Sequence, residues 1–159
     1  MKYIAYGSNM SREQMAYRCP DARLLGTGYI CGARLEFYLH ATVEKTGNEQ
    51  DQVPVAVWEI SPQDERRLDM YEGVPAYYIK EEWPVLMSDD SETVGMIYLM
   101  KQIRHSSPRD EYYEGIAGAY RMLGLESRIS TVLQPALERS RKRSPADAAG
   151  SCHGRQDSQ

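Results

Sequence analysis

The sequence predicts one domain of mixed α and β structure, class α+β. Three observations carry that prediction. The chain has 159 residues, a length at which one core buries about two-thirds of the unfolded surface. Strand-like apolar runs alternate with stretches bounded by helix caps and stops. Two of the later runs are joined by the turn-forming Ser88-Asp89-Asp90-Ser91, the pattern of a hairpin.

Residues 3 to 6 read as a short strand that Gly7 ends, and Ser11 with Gln14 forms an S-x-x-Q capping pattern for a first helix. That helix stops before Cys19-Pro20, because the residue preceding proline avoids helical geometry. Leu24 to Leu39, with Gly26, Gly28 and Gly32 spaced through it, reads as one bent strand or two short ones. The wholly polar residues 44 to 52 predict a surface loop around Gly47-Asn48. Residues 53 to 60 form a core strand in which Pro54 is confined to the start.

Ser61-Pro62 then opens a helix, since serine caps and a proline at the first helical position lacks only an orphan donor. It runs to Tyr71 or Glu72, where Gly73 supplies the stop. The hairpin spans about Tyr77 to Met87 and Thr93 to Lys101. Pro108 opens another helix to Leu123, Gly124 ends it, and a further helical segment continues from Leu125 towards Leu137. These elements predict a domain over residues 1 to 138. The basic run beginning at Arg139 and the aperiodic Ala, Gly, Ser, Asp and Gln after it predict a disordered tail over 139 to 159.

Hydrophobic residues at 42% and charged residues at 26% match a globular chain and exclude a fibrous or wholly disordered one. No apolar run approaches the ~20 residues that cross a bilayer, and no signal-peptide pattern opens the sequence, so a cytoplasmic protein without membrane partners is expected. A net charge of −4 and a pI near 5.4 give no overall attraction to phosphate backbones, which argues against nucleic acid as a partner. Cys19, Cys31 and Cys152 are odd in number and lack C-x-x-C spacing, and His40, His105 and His153 show no ligand spacing. Neither set predicts a disulfide framework or a metal site.

Two segments carry candidate chemistry. Tyr6-Gly7-Ser8-Asn9 lies where a strand ends and a helix begins, so successive backbone N–H groups can converge on an anion such as a carboxylate. Taken alone, Gly-Ser-Asn is also ordinary turn composition. Ser8 lacks the G-x-S-x-G context and a histidine partner of a nucleophile, which leaves backbone binding as its role. Glu72 is an acid at a helix C-terminus, where the dipole disfavours ionisation and where lysine or arginine is the favoured residue. Placed among Tyr71, Tyr77 and Tyr78, such a carboxyl is suited to general acid and base work; a solvated helix end is the plain alternative. Twelve tyrosines against one phenylalanine suggest that some hydroxyls line a polar cavity, the others lying at sheet edges.

Tyr6-Gly7-Ser8-Asn9-Met10, Arg18-Cys19-Pro20, Leu68-Asp69-Met70-Tyr71-Glu72-Gly73-Val74 and Gly118-Ala119-Tyr120 together resemble the gamma-glutamylcyclotransferase-like family, over Tyr3 to about Leu125. The resemblance implies a small mixed, mainly antiparallel β-barrel enclosing a cavity, with helices packed outside. It implies a small-molecule gamma-glutamyl substrate, held by the backbone of Tyr6, Gly7, Ser8 and Asn9 with Tyr78, Tyr98 or Tyr120 closing the pocket. Glu72 corresponds to the acid and base residue, and the products are 5-oxoproline and a free amine. No metal or organic cofactor is implied, and a monomer or weak homodimer is expected. Leu39-His40-Ala41-Thr42 departs from the Gly-Asn-Ala-Thr-like stretch usual in the family. Two other functions fit the same residues: a binding module that senses gamma-glutamyl metabolites without turnover, and an interaction protein recruiting a partner through its basic tail.

Overall fold

The computed structural model describes residues 1 to 143. Residues 144 to 159 of the expected tail, Cys152 and His153 among them, lie outside the described residues. Among the described residues seven strands form two sheets. Strands β1 (Lys2–Ala5), β5 (Gln52–Glu59), β2 (Arg23–Cys31), β6 (Tyr78–Met87) and β7 (Glu92–Met100) close a barrel in that order. Strands β3 (Ala33–Tyr38) and β4 (His40–Lys45) form a separate hairpin. All pairings are antiparallel except the closing one, in which β1 meets β7 in parallel through Tyr3 and Met96. The family resemblance thus anticipates the barrel correctly.

Closure depends on close approach between β2 and β6. A Cβ at Gly28 would sit 2.6 Å from the Leu86 carbonyl oxygen, so only glycine lets these strands meet there. The closing pair also fixes direction: β1 and β7 end at the same mouth of the barrel, and β6 begins there. Every site residue described below collects at that mouth.

Local signals explain the helices. In α1 (Arg12–Arg18) the Ser11 hydroxyl accepts the Gln14 N–H at 3.2 Å, as the S-x-x-Q pattern predicts. In α2 (Pro62–Glu72) Ser61 and Asp64 form a reciprocal capping box, and Gly73 ends the helix with φ of 72°. Lys80 on β6 pairs with Glu65 at 2.7 Å and Asp69 at 3.0 Å, tying the end of α2 to the barrel. Helix α3 (Asp110–Met122) presents Ile116, Ala117, Ala119 and Tyr120 to the core. A π-helical turn at Ile129–Leu133 leads into α4 (Gln134–Arg143). Among the described residues no helix is long and apolar enough to cross a membrane.

Of the two readings of Leu24 to Leu39, two strands is the one found, broken at Gly32, whose φ is 76°. Two expectations need correction. The polar loop is shorter than predicted because β4 extends through Glu44 and Lys45. The basic run from Arg139 to Arg143 belongs to α4 rather than to a tail. Its cause lies on β3, where Glu36 is only 1% exposed. Arg34 Nε, Arg139 Nε and Arg143 Nη1 reach this carboxylate at 2.9, 3.1 and 3.2 Å. Burial alone would raise the Glu36 pKa, but its arginine partners outweigh burial and hold it below the usual value. Arg139 and Arg143 also donate to the carbonyls of Leu35 and Phe37, which seats α4 along β3.

Candidate active site

The loop after β1 makes one 3-10 turn over Ser8–Met10, closed by Met10 N–H to Gly7 carbonyl at 3.1 Å. Asn9 holds this turn in place and is 3% exposed. Its amide donates to Tyr3 Oη at 2.9 Å, its Oδ1 accepts from Arg18 at 2.6 Å, and its carbonyl accepts from Trp58 Nε1 at 3.0 Å. The Asn9 side chain is therefore fully occupied as a brace. The backbone is not: among the described residues the N–H groups of Gly7, Ser8 and Asn9 donate to no protein acceptor. Three free amides on one tight turn form a concavity suited to an anion.

Glu72 is the last residue of α2, set by the left-handed Gly73 cap against the barrel mouth. Its carboxylate is half-buried and has no hydrogen bond or ion pair among the described residues. Burial pushes its pKa from the ordinary 4.5 up to about 7, and the nearby Arg18 charge opposes the rise. Burial, which the sequence reading names beside the helix dipole, is the largest cause. Arg18 itself bonds Ser8 Oγ at 3.2 Å, stacks over the Tyr71 ring at 3.6 Å, and donates to the Tyr71 hydroxyl.

Two connected chambers meet at Glu72. The inner recess, about 40 Å³, is walled by the 6 to 9 loop, Ala41 and the rings of Tyr3, Tyr6, Tyr78, Tyr98 and Tyr112. That volume holds a group the size of a carboxylate, since a water occupies about 30 Å³. The outer cavity, about 730 Å³, is bordered by Arg18, His40, Tyr71, Gln102, Arg104 and Glu111. Ser8, Glu72, Tyr78 and Tyr112 line both.

The predicted residues divide accordingly. Tyr6, Gly7, Ser8, Asn9, Glu72, Tyr78 and Tyr98 come together at this mouth. Tyr6 donates its hydroxyl to the Tyr98 carbonyl, Tyr78 to the Ala41 carbonyl at 3.2 Å, and Tyr98 to Asp69 Oδ1 at 2.7 Å. These three shape the recess with their rings while their protons are committed to protein acceptors. Tyr120 does not join them. It is fully buried in the α3 core and lines neither chamber, because the face of α3 turned to the cavity carries Glu111, Tyr112 and Gly115 instead.

Sequence reasoning missed Tyr3, Arg18 and Tyr112. Arg18 stands in the Arg18-Cys19-Pro20 motif, which carries part of the family resemblance without marking Arg18 for the site, whereas nothing local distinguishes Tyr112 from its neighbour Tyr113. His40, expected at the surface, is exposed and borders the outer cavity with its ring edge-on to Tyr112 at 5.2 Å. Cys19 is buried, with its thiol pushed up to about 11 by burial, which fits a packing role.

Solved structures share the architecture. A gamma-glutamyl cyclotransferase superposes with a TM-score of 0.76 at 24% identity, the match covering 84% of this chain and 86% of that one. An uncharacterised human protein gives 0.71 at 24% identity, over 99% of this chain and 92% of its own. A yeast gamma-glutamyl cyclotransferase specific to glutathione gives 0.58 at 13% identity, over 91% and 97%. Curated protein sequences provide no match. The family model for gamma-glutamyl cyclotransferase, AIG2-like proteins matches residues 3 to 117, and the chain belongs to that family.

Proposed function

We propose that this protein is a gamma-glutamyl cyclotransferase, converting a gamma-glutamyl amide into 5-oxoproline and a free amine. The observation that carries the proposal is Glu72: a half-buried, unpaired carboxylate with pKa near 7, at the junction of an anion-sized recess and a roomy outer cavity. The free amides of Gly7, Ser8 and Asn9 hold the substrate α-carboxylate in the recess. The α-amine and the gamma-carbonyl then lie beside Glu72, and the amine substituent extends into the outer cavity.

Glu72 in its ionised form takes a proton from the α-ammonium group. The freed amine attacks the gamma-carbonyl carbon, closing a five-membered lactam, and the electron pair of the carbonyl moves to its oxygen. As that pair returns, the bond to the departing nitrogen breaks and Glu72 gives the proton to it. The ring nitrogen still carries two hydrogens and a positive charge; it loses one of them to the ionised Glu72, which passes it to the released amine. No water enters, and the two protons that leave the α-nitrogen both end on the departing one, which leaves as an ammonium ion. Ring closure is intramolecular, so holding both reacting ends of one substrate in contact removes much of the barrier. A carboxyl titrating near neutrality is suited to taking and returning the same proton.

The test is turnover. Purified protein offered a panel of gamma-glutamyl amino acids and gamma-glutamyl amines releases 5-oxoproline from at least one, and Glu72→Gln lowers that rate by about 100- to 10,000-fold. Absence of 5-oxoproline across the panel, or full activity in Glu72→Gln, refutes the proposal.

A further inference from the structure

We infer that the Tyr112 hydroxyl is the hydrogen-bond donor to the gamma-carbonyl oxygen as negative charge develops on it during ring closure. The inference rests on the cyclotransferase reading and adds a catalytic residue on α3, which neither the loop nor Glu72 implies. It follows from where each hydroxyl proton goes. The scissile amide joins a group held in the recess to one in the outer cavity, so it lies at the junction, which is lined by Ser8, Glu72, Tyr78 and Tyr112. Tyr78 donates to the Ala41 carbonyl. Tyr112 instead accepts, from the Ala41 N–H at 3.1 Å, and its own proton meets no acceptor among the described residues.

The placement of this hydroxyl is tightly fixed. The Ala41 N–H holds the oxygen, Phe37 and His40 pack edge-on against the ring at 6.4 and 5.2 Å, and a Cβ built on Gly7 would lie 3.4 Å from the oxygen. The donor therefore faces the bare backbone of the loop that receives the substrate. Its surroundings also keep it a donor, because burial, reinforced by Glu72, pushes the phenol well above its usual pKa. Tyr112 thus retains its proton throughout. The electron pair that moves onto the carbonyl oxygen is stabilised by the O–H and returns when the amine leaves, while Glu72 alone carries the two transferred protons, one after the other. Among the hydroxyls that line the recess, two others have uncommitted protons. Ser8, accepting from Arg18, sits on the carboxylate loop, and Tyr3, accepting from Asn9, lines only the recess.

The test compares Tyr112→Phe with Ser8→Ala and the unmodified enzyme on one gamma-glutamyl amide. Tyr112→Phe is expected to lower kcat about 100-fold with KM nearly unchanged, as loss of an oxyanion donor does. Ser8→Ala is expected to act chiefly on KM. A gamma-phosphonamidate analogue, whose tetrahedral anionic centre resembles the intermediate, should bind Tyr112→Phe more weakly by a similar factor. Binding of a ground-state analogue with a methylene in place of the carbonyl should not change, a split that mere loosening at Ala41 would not produce. Tyr112→Phe retaining kcat within about threefold, or weakening both analogues alike, overturns the inference and leaves the cyclotransferase reading intact. An unmodified enzyme that forms no 5-oxoproline removes both.

Discussion

At the scale of the residue, Glu72 connects acidity, activity and stability. Its carboxyl titrates near 7 because burial disfavours the charged form. As the base proposed above it must be ionised, so kcat/KM is expected to fall tenfold per pH unit below an inflection near 7, a limb measurable in the free enzyme and absent from Glu72→Gln. The stability effect has the opposite sense. A folded pKa raised above the ordinary 4.5 means that the native state binds the proton more tightly. That stabilisation is complete below about 4.5 and is lost as pH rises through about 7. Glu72→Gln is therefore expected to be more stable than the natural chain by about 2 kcal/mol at pH 8 and to show little difference at pH 4, read from denaturant unfolding at the two pH values. The gain in stability accompanies a loss of activity, as expected where a site holds an unfavourably buried group.

At the scale of the element, two junctions decide whether the site keeps its geometry. The first is the end of α2. Gly73 combines a φ of 72° with close packing, since a Cβ there would lie 2.7 Å from Tyr77 Cδ2. Gly73→Ala is expected to destabilise by about 1 to 2 kcal/mol, measured by thermal or denaturant melting, and to lower kcat by displacing Glu72. The second is α4 on β3. Removing the chain after Leu137 strips Glu36 of Arg139 and Arg143 and leaves a buried carboxylate with Arg34 alone. The expected loss is about 3 kcal/mol in denaturant unfolding, the scale for breaking a buried ion pair.

These two junctions also show what a sequence reading can reach. The limits of α2 were legible because Ser61, Pro62 and Gly73 act on their own neighbours. The helical state of Arg139 to Arg143 was not, because it depends on a carboxylate 103 residues earlier in the chain, and a basic run without that partner has the composition of a tail. Strand β4 was hidden for a related reason. Its outer residues are polar, and its buried Ala41 and Val43 gain their apolar setting only when β3 folds back across Leu39, whose φ is 69°.

At the scale of the molecule, the site is assembled from distant parts of the chain. Loop 6 to 9, Ala41, Glu72, Tyr78, Tyr98 and Tyr112 meet only once β7 has returned to β1, and that closure rests on a pairing between Tyr3 and Met96. A barrel built from such distant contacts is expected to fold more slowly than a helical chain of equal length. Activity should therefore return together with the slowest structural phase in a refolding experiment, when 5-oxoproline release is followed alongside tryptophan fluorescence. Glu72 and the loop were legible as a pair because each lies in a motif. Tyr112 was not, because the role inferred for it depends on what faces it across the mouth, whereas Tyr120 of the same helix was named from a motif that serves the core.

The division into two chambers bears on inhibitor design. A compound confined to the recess would meet the main-chain amides of the turn, which a change of the Ser8 side chain leaves in place. Such a compound is expected to act broadly on proteins that share the turn. Discrimination has to come from the outer half, where His40, Tyr71, Gln102 and Arg104 border the larger cavity. An extension in that direction converts a general ligand into one selective for this chain.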